Sequence, residues 1–119
     1  MKLLTEELRK QLPPLYTQEA DPDPWVHVKF FTPDSNWTWW VTEGSPEEDD
    51  FRFFGFVRGL ADEWGYFLLS ELESAKGPLG LSIERDLYFQ PAGSQMWFQL
   101  QSEAASRDQD QFDLGLFFI

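Results

Sequence analysis

Cysteine is missing altogether from the 119 residues, and histidine occurs once, at position 27. The first absence excludes a disulfide framework and a thiolate zinc site. The second leaves one ordinary side chain that exchanges protons near neutral pH. No apolar run is long enough to cross a bilayer as a helix, and the amino end lacks the apolar core of an export signal, so a cytoplasmic protein is expected. Base is scarce as well. Nine Lys and Arg face 21 Asp and Glu, a net charge of −12. That balance opposes direct nucleic-acid binding and makes a basic protein the easier partner. The acid is not confined to a tail: residues 1–91 carry 17 acids and 8 bases, and the remainder 4 and 1.

What the chain has in quantity is aromatic surface, with 12 Phe, 6 Trp and 3 Tyr in a length that fits one domain. Leu4, Leu8 and Leu12 recur at helical spacing, with Glu6 and Glu7 early, Arg9 and Lys10 late, and Pro13–Pro14 as a stop. This predicts a helix laid across a sheet. Residues 25–31, 37–42 and 51–57 alternate with period two and predict antiparallel strands, with residues 64–69 as a fourth. Gly44 to Asp50 reads as a polar break in which Ser45, Pro46 and Glu48 cap a helical turn. Ser70–Glu73 fits a capping box, and Ser82 is expected to cap a second short helix. Gly55 is expected to let a neighbouring backbone or ring approach closely. Core positions are Leu8, Val26, Val28, Phe30, Phe53 and Val57. Strands are also expected around Met96, Phe98 and Leu100 and in the terminal DLGLFFI.

No catalytic residue is assigned, because nucleophile, histidine and carboxylate do not occur in an order that supports a triad. A candidate ligand pocket combines Lys29, Asp34, Asn36, Trp37, Trp39 and Glu43, with Lys29 paired to Asp34 or Glu43 across a hairpin and indoles as apolar walls. The competing reading is turn capping by Asp34 and Asn36 beside packed aromatics. Glu47, Glu48, Asp49 and Asp50 form a candidate surface for a basic partner. Such oxygens attract Mg²⁺ only where they converge, so neither a metal nor a cofactor is assigned. GPLG at Gly77–Gly80 lacks the lysine and hydroxyl of a phosphate loop.

The segments KLLTEELRKQLPPLY, VKFFTPDSNWTWWVTEGSPEEDDFRFFGFV, GYFLLSELES and GPLGLSIERDLYF, in that order, resemble the small bacterial family called domain of unknown function 2958. The resemblance covers about Met1 to Pro91. It implies a compact α+β protein and genes set among mobile elements, and it transfers no catalytic set; the helix and strand periods add that the α+β fold has an amino-terminal helix packed on a mainly antiparallel sheet. Residues 1–91 are thus expected as the family-like core and residues 92–119 as a divergent extension, packed as strands onto the same domain. An acidic, non-enzymatic interaction module binding a basic protein in defence or mobile-element handling is the leading expectation. A metal-assisted hydrolase using Asp34 and Glu43, or a small-ligand-binding protein, is the alternative. The aromatic abundance also allows a homodimer.

Overall fold

Period-two aromatic segments become strands here because alternate rings bury on one side while the backbone pairs with its neighbours. The computed structural model describes residues 1–94. In chain order these form α1 (Glu6–Gln11), β1 (Trp25–Val26), β2 (Val28–Phe31), β3 (Thr38–Glu47), β4 (Asp50–Arg58), β5 (Asp62–Leu68), α2 (Leu69–Ser74), β6 (Glu84–Arg85) and β7 (Ala92–Gly93). Five strands make one antiparallel sheet in the order β5-β4-β3-β2-β6, and β1 pairs separately with β7. The fold is α+β, with the amino-terminal helix against a mainly antiparallel sheet.

One face of the sheet carries Val28, Phe30, Trp39, Val41, Phe51, Phe53 and Phe67, covered by Leu3, Leu4, Leu12, Leu72 and Ile83. Phe53 sits at its centre, with ring centroids 5.6 Å from Phe30, 5.1 Å from Phe51 and 5.5 Å from Phe67. Thr5 caps α1 by accepting the Leu8 amide at 3.2 Å. The helix is too short to hold the whole leucine stripe, so Leu4 and Leu12 bury on either side of it while Leu8 is only partly buried against the core. Of the other core positions, Val26, Val28, Phe30 and Phe53 are buried and Val57 packs partly.

Several local expectations are corrected. Residues 25–31 are not one strand. The chain breaks at His27, whose amide donates to Val41 O at 2.9 Å, and the two halves join different sheets. Gly44–Asp50 is not a break with a helical turn: β3 continues to Glu47, and a two-residue loop with Glu48 at φ +56° returns the chain into β4. Ser45 is engaged elsewhere, its hydroxyl accepting the Leu15 amide at 2.9 Å. The start of α2 is held by Glu71, which accepts the Leu68 amide at 2.8 Å, and not by a Ser70–Glu73 box. Ser82 begins no helix; it bridges to Lys76, and the next residues pair with Phe30 and Phe31 as β6. The strands expected at Met96–Leu100 and in DLGLFFI lie outside the described residues.

The register of β3 changes between Val41 and Glu43. Strand alternation alone would set Thr42 and Glu43 on opposite faces; the bulge turns both to the face away from the core. That face already carries Trp40, Phe54, Phe56, Trp64 and Tyr66, in ring contacts of 4.9–6.0 Å.

A candidate binding cleft

The loop between α1 and β1 is laced onto the bulged part of β3. Pro13 O accepts the Gly44 amide at 3.0 Å. The Glu43 carboxylate, only 3% exposed, accepts the Tyr16 amide at 3.0 Å through one oxygen and the Gln18 amide through the other. Gln18 continues the lacing: its side-chain amide donates to Thr42 O at 2.8 Å and to Trp25 O at 3.1 Å, and its oxygen accepts the Trp25 amide at 2.6 Å. A buried carboxylate is costly unless hydrogen-bonded, and here the bonds that satisfy it also fix the loop. They hold Tyr16 in the left-handed region at φ +74°, a conformation that costs a non-glycine residue about 1–3 kcal/mol and persists only where its surroundings impose it.

Between this loop and the β4–β5 face lies a cleft of about 430 Å³. Tyr16, Phe54, Trp64 and Tyr66 supply its rings and Glu19, Asp21 and Glu43 its carboxylates; no Lys, Arg or His is among the described lining residues, although Arg52 lies over the Tyr66 ring at 6.0 Å. The Phe54 and Trp64 rings stack at 5.8 Å with 15° between planes, and Tyr66 tilts against Phe54 at 4.9 Å. Tyr66 also meets Tyr16 across the mouth at 6.2 Å. The hydrogen bond shared with Tyr16 pushes the Tyr66 phenol above its ordinary pKa, and partial desolvation with the negative charges of Glu19 and Glu43 acts in the same direction. Carboxylates from the loop and from β3 thus line the same cleft as this ring.

The residues of the expected ligand pocket are dispersed. Lys29 pairs with Asp86 at 3.6 Å and with neither Asp34 nor Glu43. Asp34 accepts the Leu79 and Leu81 amides at 2.8 and 3.3 Å, fastening the GPLG loop to the β2–β3 turn. A Cβ on Gly77 would lie 1.7 Å from Asp34 Oδ1, so this approach needs glycine. Asn36 stays in the same turn. Trp37 and Trp39 stack at 5.9 Å with the core. Glu43 lies on the other face, and the five residue steps of strand from Thr38 to Glu43 span up to about 16 Å.

The acidic run at the β3–β4 hairpin is partly engaged within the chain. Glu47 receives Arg52 through two contacts of 3.0 Å from Nε and one of 2.8 Å from a terminal nitrogen. Asp50 accepts the Phe51 amide at 2.8 Å and the Ser70 hydroxyl at 2.5 Å. Glu48 and Asp49 form the exposed tip. Among the described residues no three His, Cys, Asp or Glu side chains are grouped to hold a metal ion. No described helix is long and apolar enough to cross a membrane.

The family model described as a protein of unknown function, DUF2958, matches residues 3–115. The chain belongs to the DUF2958 family. The matched stretch takes in the helix, the whole five-stranded sheet and most of residues 92–119, so the DUF2958 likeness extends past Pro91. No curated protein and no solved structure is matched by the chain.

The cleft's own residues were not legible as a group in this DUF2958 sequence. Tyr16, Gln18, Glu19 and Asp21 belong to a proline-bounded loop, and Phe54, Trp64 and Tyr66 to strands whose parity showed only that they share a face. Acid placed between prolines opposite an aromatic face was the available signal, but which face the loop covers is decided by the Glu43 bulge.

Proposed function

We propose that this protein is a non-enzymatic binding module for a basic protein surface. The observation that carries the reading is the cleft: aromatic walls, three carboxylates and no base among its described lining residues, in a chain of net charge −12. Long-range negative potential draws a basic partner in, and short-range contact in a concave, partly desolvated site gives selectivity. That partner is taken to act in bacterial defence or mobile-element handling; only the mobile-element setting leans on the family resemblance. Metal-assisted hydrolysis through Asp34 and Glu43 is less favoured, because the two carboxylates are committed to different loops.

The test begins with basic proteins recovered from the source cell on the full chain at low salt, then reconstitution of each with purified components. A one-to-one complex is expected whose affinity falls at least about tenfold when Glu19 and Asp21 are replaced by Lys, because opposite charge becomes like charge at the contact. The same reversal at Glu48 and Asp49 measures the hairpin tip independently. Loss at the tip alone would move the interface there; salt-insensitive binding, or capture only of a small molecule or a second copy, would overturn the reading.

A further inference from the structure

We infer that the cleft between the Tyr16–Pro24 loop and the β4–β5 face is a receptor for a single arginine side chain of the partner. This rests on the basic-partner reading and names the group that is recognised.

Size comes first. A volume of about 430 Å³ lies toward the lower end of the range for small-molecule pockets, about 300–1,000 Å³, and suits one long side chain with its adjoining backbone better than a helix or strand. The walls argue for a flat cation. Phe54 and Tyr66 are ring surfaces at 4.9 Å from one another, and a guanidinium, planar and weakly hydrated, stacks on such surfaces where a compact, strongly hydrated ammonium loses more solvation on entry. The chain already shows this preference: its three cation–ring contacts among the described residues are all made by arginine, Arg9 over Phe51 at 4.9 Å, Arg52 over Tyr66 at 6.0 Å and Arg58 over Trp40 at 5.6 Å.

The carboxylates divide the remaining work. Glu43 is occupied with the Tyr16 and Gln18 amides and acts as a positioning residue that holds the loop wall. Asp21 uses one oxygen on the Asp23 amide at 2.9 Å, which fixes its side chain at the loop, while the Glu19 carboxylate takes no hydrogen bond or ion pair from another described residue. Both sit at the lining beside the rings. A guanidinium fork offers donors in two directions, so it can meet these acids while its plane lies on a ring.

Titration of the full chain with the blocked peptides acetyl-Gly-Gly-Arg-Gly-Gly-amide and acetyl-Gly-Gly-Lys-Gly-Gly-amide at low ionic strength, read by amide NMR shifts, tests this. The arginine peptide is expected to bind about tenfold more tightly than the lysine peptide, with shifts centred on residues 16–24 and 64–66. Tyr66→Leu should remove the preference, Tyr66→Phe should keep it, and Glu19→Gln with Asp21→Asn should weaken both peptides. The Phe variant and an unchanged melting curve guard against reading a folding defect as lost recognition. Equal affinities, shifts centred on the hairpin tip, or a preference that survives Tyr66→Leu would overturn the inference. A longer peptide of about eight Lys and Arg separates the two levels. If it binds in a salt-sensitive way outside the cleft, the arginine receptor fails while the basic-partner reading stands; if it binds no better than a neutral peptide, both fail.

Discussion

Individual side chains in this protein are assigned by what they touch rather than by what they are. Asp34 and Asp50 belong to turns that read alike in sequence, yet one fastens a glycine loop and the other reaches the start of α2. The Ser70 hydroxyl, followed by the Phe51 amide, holds the Asp50 carboxyl below the ordinary aspartate pKa, with desolvation acting in the opposite sense. Because the folded value is depressed, its contribution to stability is present above the unfolded pKa and is lost as pH falls through the folded one. A carboxyl-detected NMR titration should find Asp50 ionising below the usual aspartate range, and Ser70→Ala should move it upward. An unmoved midpoint in that variant would break the link between the two residues.

Among the elements, the β3–β4 hairpin organises the molecule. It carries Phe51 and Phe53 into the core, Phe54 and Phe56 onto the opposite face, and the bulge that places Glu43 under the loop. Gly55 lies opposite Val41 in this pair, where a Cβ would come 2.0 Å from Trp40 O and 2.9 Å from Trp40 C. Those are backbone atoms with no rotamer to yield, so the strands themselves must shift. Gly55→Ala is expected to lower stability by about 1–3 kcal/mol, seen as a lower urea midpoint. A variant of unchanged midpoint would show that the strands separate at little cost.

The molecule as a whole has one group poised near neutral pH. His27 sits at the break between β1 and β2, in a hollow that it shares with Glu6, Glu7, Arg85 and Asp86, and burial lowers its pKa. The unfolded chain therefore takes the proton first, so this contribution to stability is full above the unfolded histidine pKa of about 6.5 and is lost as pH falls through it. The urea midpoint should decline between about pH 7 and pH 5, and His27→Gln should flatten that decline. A slope unaffected by the substitution would assign the pH dependence to other groups.

The sequence by itself determined the class of fold, the family likeness, the parity of Phe51–Arg58 and a close approach at Gly55, though not that the Trp40 backbone makes it. Each depends on local periodicity, composition or a short ordered motif, and a sheet with a buried face tolerates one strand parity. Tertiary structure decided the partners. Lys29 found Asp86, Arg85 bound the Lys2 and Leu3 carbonyls at 2.8 and 3.1 Å, and Glu43 gathered a loop from 25 or more residues away. Long side chains reach whatever the chain path brings near, and that path turned on one extra residue in β3. The acids that stood out as a run at Glu47–Asp50 were partly taken up by Arg52 and Ser70, whereas Glu19 and Asp21, far in sequence from Phe54, Trp64 and Tyr66, came to line the cleft beside those rings.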